Sequence, residues 1–237
     1  MSCILNIETS TSVCSVALSM DGEVLFAKAS FDGPSHAALL GVFVEEALSV
    51  LKKKGEKALD AVAVSSGPGS YTGLRIGVSV AKGLCFGFGI PLIGIHTLDI
   101  MAATVYSKGD SQIVSITDDC LYCAMLDARR MEVYAAIYDA SLKPVRETKA
   151  DIVEAGTYAS YLEKGKVCFF GNGASKCKSV ITSPNAIFIE DIHPLAVNMI
   201  PLSEQAFAAG KAEDTAYFEP FYLKEFQATV ARNKVLG

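Results

Sequence analysis

Three short runs hold most of the residues able to do chemistry: Glu8 to Ser12 (ETSTS) behind an apolar stretch, Ser65 to Thr72 (SSGPGSYT) ahead of a helical one, and Asp127 to Arg129 (DAR). In the second run Gly67, Pro68 and Gly69 are turn residues, and Ser70 or Thr72 is placed to cap the helix that follows. Open backbone N–H groups at such a helix start face whatever occupies the corner, so it either holds an anion or packs tightly. A Ser/Thr cluster such as Thr9 to Ser12 is, on its own, an ordinary hairpin turn. Cys120 and Cys123 form the only CxxC among seven cysteines. With no second pair or nearby histidine, and alternating with Leu121 and Met125, they read as strand positions rather than a metal or redox motif. His36 and His193 lie in unrelated segments and read as surface or capping residues, and no Ser/His/Asp set is visible.

The elements that must position these runs fall into two related halves. Cys3 to Thr9 and Val13 to Ser19 read as strands around the polar turn Ser10 to Ser12, and Asp21-Gly22 is a hairpin signal leading into Glu23 to Ala29. A helix is expected over about 35–54, a strand over 61–65, a second helix over 72–88 and a strand over 91–94, giving the order βββαβαβ. After a polar joint near 107–111 the pattern partly returns, with strands over 121–127, 132–138 and 142–146, and another over 167–170 feeding Gly171-Asn-Gly173. Offset by 119 positions, Glu8 falls on Asp127, each an acid at the end of a first strand. The expected fold is α/β with two lobes and mixed sheets: a first lobe over 1–106 and a degenerate repeat over 107–237, whose last segment is a candidate to pack back on the first lobe.

At 237 residues the chain is long enough for a substantial core, and its 51% hydrophobic share is high. The longest apolar run, 83–98, is short and broken by Gly87, Gly89 and Pro91, so no membrane span is expected. The start lacks a positively charged leader, and the odd number of cysteines suits a reduced, cytoplasmic compartment. A net charge of −5 with scattered lysines argues against this chain as the main holder of nucleic-acid phosphates.

The apolar excess sits on the two helices. Over 72–88, Leu74, Val78, Ala81, Cys85 and Phe88 share one face, Gly73, Gly77, Val80 and Leu84 a second, and only Arg75, Ser79 and Lys82 are polar. Over 35–54, apolar residues including Leu39, Leu40, Phe43 and Val44 cover about half the circumference, more than one sheet needs. An interior glycine costs roughly 1 kcal/mol against alanine, and a Gly73/Gly77 notch admitting another helix would offset that. Leu39, Leu40, Phe43, Gly73, Ile76, Gly77, Val80 and Leu84 are therefore the expected docking residues, and without a partner the same surface is expected to form a homodimer. Such docking predicts that Gly77→Leu blocks association and leaves the chain folded.

The two-lobed order resembles the actin-like ATPase superfamily, in which nucleotide sits between the lobes against the first hairpin turn. A closer match lies within it. LNIETSTSVCSVAL at 5–18, the Ser35-His36 helix start, AVSSGPGSYTGLRIGVSVAKGL at 63–84, PLIGIHTLDIMA at 91–102, LDARRMEVYAAIYD at 126–139 and PFYLKE at 220–225 together resemble the TsaB, or YeaZ, family. That resemblance implies a non-catalytic subunit in threonylcarbamoyl transfer to adenosine 37 of ANN-decoding tRNAs, bound to the catalytic subunit TsaD. It further implies TsaE as the ATPase partner, a TsaC-type enzyme as the adenylate source, and tRNA met only through the complex. TsaD carries an HxxxH metal pair whose places fall here on Thr97 and Met101, with His96 one residue off, so neither a metal nor catalytic residues are expected in this chain.

The superfamily's phosphate turn falls on Glu8, Thr9, Ser10, Thr11 and Ser12, where the acid would hold magnesium and N–H groups would hold phosphate, but the glycine spacing such turns favour is missing. No cofactor is firmly implied, and ATP or ADP contact at the joint with the partner is left open. Asp127 and Arg129 match the family's DAR motif and read as an interlobe salt bridge, while Arg75 is open to a phosphate, a carboxylate of another chain, or water. The rival reading is an autonomous actin-like ATPase or small-molecule kinase; a protease has no supporting residues.

Overall fold

The computed structural model describes residues 2–33, 35–53, 55, 59–108 and 120–223; Lys224 and Glu225 of the PFYLKE run and part of the joint near 107–111 lie outside them. β1 (Cys3–Glu8), β2 (Cys14–Met20) and β3 (Glu23–Ser30) form a meander whose second turn is Asp21-Gly22, with φ of 49° and 82°. α1 (His36–Lys53), β4 (Ala61–Gly67), α2 (Tyr71–Phe88) and β5 (Leu92–His96) complete the expected βββαβαβ order. The sheet runs β3-β2-β1-β4-β5, with β4 parallel to both β1 and β5.

α2 starts and stops where its residues dictate. Ser70 in extended backbone accepts from Gly73 N at 3.2 Å, and Gly89 ends the helix at φ 65°, donating its N–H to Cys85 O.

α3 (Thr97–Lys108) leads to the second half: β6 (Cys120–Asp127), β7 (Glu132–Tyr138), β8 (Pro144–Ile152), α4 (Ala159–Leu162), β9 (Lys166–Phe170), α5 (Ala174–Cys177), β10 (Ala186–Ile189) and α6 (Ala196–Ala208). Its sheet runs β10-β9-β6-β7-β8, the first sheet's order with each strand replaced by its counterpart. The sequence reading omitted α3, α6, β10 and the two one-turn helices α4 and α5. In α3 the run Ile100 to Ala103 is buried without a break, which erases the helical period that marks a surface helix, and α6 contains Pro201. Among the described residues no helix is long and apolar enough to cross a membrane.

The first sheet is covered on both faces, which is why β1 and β4 are buried at every position. Leu5, Ile7, Val62 and Val64 meet α1 and α2 on one side, and Ile4, Ala61, Ala63 and Ile93 meet α3 and α6 on the other. α3 also supplies Leu98, Met101, Ala102 and Val105 to a layer against the second sheet, so this one helix is packed between the two halves. α6 is fastened to the first sheet by Glu204, whose carboxylate accepts from Ser2 Oγ (2.5 Å), Ser19 Oγ (3.2 Å) and the Gly22 amide (3.1 Å). Beyond α6 the described residues, as far as Phe221, stay on the first half. Glu213 bridges Leu92, Lys82 Nζ donates to the Ala216 and Phe218 carbonyls, and Phe221 N donates to Ser66 O.

Candidate functional site

Between the two halves lies a cleft of about 920 Å³. One wall is the β1–β2 turn (Ser10, Thr11, Ser12), the start of α1 and the corner from Pro68 to Gly73; the other is the β6–β7 turn from Leu126 to Arg130, with Asn172. Phe221, Tyr222 and Leu223 close one side. All three chemistry-bearing runs therefore converge on one place, although they lie more than fifty residues apart in sequence. Within the β1–β2 turn the convergence is selective. Ser10, Thr11 and Ser12 line the cleft, whereas Glu8 and Thr9 are enclosed beneath it, with no exposed surface. For these two the expected nucleotide contact is corrected, because both side chains are covered by this chain's own elements, Glu8 under the Ser10 amide and Thr9 against Gly73 and Gly77 of α2.

Glu8 Oε1 accepts from Ser10 N at 2.8 Å. Burial raises its carboxyl from 4.5 to about 7, with the Ser10 hydroxyl and amide, the Ser65 hydroxyl and the Thr9 amide pulling part of the way back. The folded chain thus holds a proton that the unfolded chain releases. Glu8's contribution to stability is undiminished below about pH 4.5, declines as pH rises towards about 7, and is flat above it; at about 1.4 kcal/mol per pH unit its total loss is roughly 3 kcal/mol. Glu8→Gln, which keeps the shape without the charge, is expected to abolish this decline in urea melts taken from pH 4 to pH 8. A wild-type slope that survives in the variant would place the titration elsewhere.

Thr9 determines what the glycine notch is for. Its Oγ1 donates to Gly73 O at 2.9 Å, and a Cβ at Gly73 or Gly77 would collide with the Thr9 carbonyl or the Thr9 hydroxyl, respectively. The notch is occupied by this chain's own first turn and takes no foreign helix. Leu40 and Phe43 are likewise in the chain's own core (1% and 4% exposed), so four of the eight expected docking residues, Leu40, Phe43, Gly73 and Gly77, are corrected to internal packing. Leu39, Ile76, Val80 and Leu84 are half-buried at the edge of that core. The open part of the helix pair is elsewhere: Ala38, Gly41 and Val42 on α1, and Ser79, Gly83, Phe86 and Gly87 on α2. A Cβ at Gly41, Gly83 or Gly87 would meet nothing within 4 Å, and Phe86 is 88% exposed.

His36 is neither a surface nor a capping residue. It is 5% exposed at the first position of α1, with Nε2 at 2.7 Å from Thr11 O, which ties that helix to the β1–β2 turn. His193 meets Phe31 edge-on. Asp127 accepts from Arg129 N (2.8 Å) and pairs with Lys176, all within the second half, so the expected interlobe bridge to the Arg129 guanidinium is absent among the described residues. Arg129 and Arg130 stand exposed at the cleft with φ of 71° and 49°. Arg75 lies 4.3 Å over the Tyr71 ring and donates Nε to Tyr222 OH at 3.2 Å. Tyr222 and Lys176 were invisible as site residues, since nothing in their local sequence signals a contact made 147 or 49 positions away.

Comparison with known proteins gives this geometry its context. The family model for TsaD, tRNA N6-adenosine threonylcarbamoyltransferase, matches residues 33–232. The tRNA threonylcarbamoyladenosine biosynthesis protein TsaB of Escherichia coli (strain K12) is 32% identical over 99% of this chain and 98% of its own length. The chain belongs to the TsaB family. TsaB of Bacillus subtilis (strain 168) is 28% identical over 75% of this chain and 74% of that protein. The solved structure of YeaZ from Pseudomonas aeruginosa superposes with a TM-score of 0.73 at 26% identity, covering 94% of this chain and all of that one. The two-lobed actin-like fold is thereby established, and the TsaB relatives are proteins of tRNA threonylcarbamoyladenosine biosynthesis. In this TsaB-family chain the places matched to TsaD's histidine pair, Thr97 and Met101, are both fully enclosed, with the Met101 side chain packed on the Gly171 backbone. His96 is exposed and meets Phe221 edge-on.

Proposed function

We propose that this chain is a non-catalytic subunit that docks on TsaD through the solvent side of α1 and α2 and so supports threonylcarbamoyl transfer to adenosine 37 of ANN-decoding tRNAs. The observation that carries the reading is the open strip on these helices. Gly41, Gly83 and Gly87 leave shelves with no neighbour, beside the exposed Val42 and Phe86 and the half-buried Ile76, Val80 and Leu84. Glycines in mid-helix with nothing packed on them cost stability in the isolated chain, and close approach of a partner helix offsets that cost. Kinship of residues 33–232 to the TsaD family model supports a pairing of like helices into a four-helix bundle. The same strip serves a homodimer when the chain is alone, and tRNA and TsaE are met within the complex, in the cytoplasm.

The rival reading, an autonomous actin-like ATPase or small-molecule kinase, has a cleft of suitable size. Its first-turn acid, however, is the enclosed Glu8, and the acid that does stand on the cleft wall, Asp127, is paired with Lys176. Hydrogen exchange on an equimolar mixture with TsaD tests the docking reading: amides of α1 and α2 are expected to gain protection while those of β8 and α4 do not. A complex that forms without protecting α1 or α2 would overturn it.

A further inference from the structure

The structure separates the two cysteines of the CxxC run and gives one of them a different neighbour. Cys120 and Cys123 lie on opposite faces of β6, Cys120 in the layer against α3 and Cys123 in the layer against α4 and α5. On the α3 side Cys120 Sγ is 3.1 Å from Cys168 Sγ on the adjacent parallel strand β9. Both are free thiols. We propose that Cys120 and Cys168 are a redox pair that a hydroperoxide converts to a reversible cross-strand disulfide.

The two sulfurs have different roles. Both thiols are buried, so an oxidant reaches them through local opening, and Cys120, at the end of β6, is released before Cys168 in the middle of β9. The hydrogen bond from Cys168 and the charge of Lys166, its partner across the strands, draw the Cys120 thiol down against the effect of burial, while the shared proton pushes Cys168 up. In the first step the Cys120 thiolate attacks the peroxide: an S–O bond forms, the O–O bond breaks, and hydroxide (or alkoxide) leaves. In the second, Cys168 sulfur attacks the sulfenic acid, the S–O bond breaks, and hydroxide departs with the Cys168 proton as water. The sulfur pair loses two electrons and the peroxide gains them.

Reversibility follows from the register. Cys120 pairs with Lys166, and Cys168 pairs with Tyr122, so the thiols are two positions out of step. Such a diagonal holds the two backbones farther apart than a directly facing pair, and closing from 3.1 Å to about 2.05 Å between sulfurs requires backbone movement. Cys120, as the first residue of β6, is placed to provide it, and a strained bridge is readily reduced.

The full chain is exposed to hydrogen peroxide until Met131 is converted to its sulfoxide, which serves as an internal clock, then alkylated, digested without reductant and mapped by mass spectrometry. A peptide pair joining Cys120 to Cys168, lost on adding dithiothreitol, is the expected product. Cys168→Ser, or Cys168→Ala should serine unfold this apolar layer, is expected to leave a dimedone-reactive sulfenic acid at Cys120, and Cys120→Ser to leave Cys168 alkylatable. Two intact thiols in the wild-type chain at that point, or a bridge between other cysteines, would overturn the proposal without bearing on the docking reading.

Discussion

Gly77→Leu is expected to destroy the folded state, at a cost of about 4 kcal/mol or more, because the new side chain has to enter space already filled by Thr9. The smaller Gly77→Ala isolates the cause. Its Cβ meets the Thr9 hydroxyl, with the Thr9 Cβ and Cγ2 at ordinary contact distances of 3.4 and 3.5 Å, so removing that hydroxyl with Thr9→Ala relieves the collision. At Gly73 the obstacle is the Thr9 carbonyl, which no side-chain change removes. A double-mutant cycle by urea denaturation is therefore expected to show Gly77→Ala partly rescued by Thr9→Ala, and Gly73→Ala not rescued. Alanine tolerated at both sites without loss of stability, or a stable Gly77→Leu chain, would show that the notch is open as the sequence alone suggests, and equal rescue at both sites would show that the Thr9 carbonyl is not the obstacle at Gly73. The practical consequence is that Gly77→Leu cannot serve as a docking probe, since loss of association would follow from loss of the fold.

Gly83→Glu separates docking from folding. Within a single chain nothing lies within 4 Å of the site, so the monomer, melted at a concentration too low for the homodimer, is expected to keep its midpoint or gain from the better helix former, by roughly 0.5–1 kcal/mol. In a close helix pair the same substitution buries an unpaired carboxylate, and affinity for TsaD is expected to fall at least about a hundredfold, roughly 2.7 kcal/mol. Gly41→Glu, on the other helix and equally open, repeats the test. Titration calorimetry against TsaD reads the result, and unchanged affinity in both variants would remove this face as the interface.

How much of this was legible depended on the range of the interactions. The β1–β2–β3 meander, the N-cap of α2 and the repeat that puts Asp127 in the place of Glu8 at the end of a first strand all follow from local period and turn chemistry, and each is present. α3 was missed because burial on every side removes the amphipathic signal, and His36 was misread because its partner, Thr11, lies 25 positions away on another element. The site was half legible: its three runs were identified, but the side of each that meets the cleft was not.

What the sequence by itself determined is that α1 and α2 carry more apolar and small residues than one sheet can cover, because composition and helical period are properties of the chain alone. Only the tertiary structure decided which part of that excess is used internally. The β1–β2 turn comes down on the Gly73/Gly77 side of α2 and leaves Gly83, Phe86 and Gly87 open, since burial depends on which distant backbone arrives at a surface and helix periodicity carries no information about that arrival.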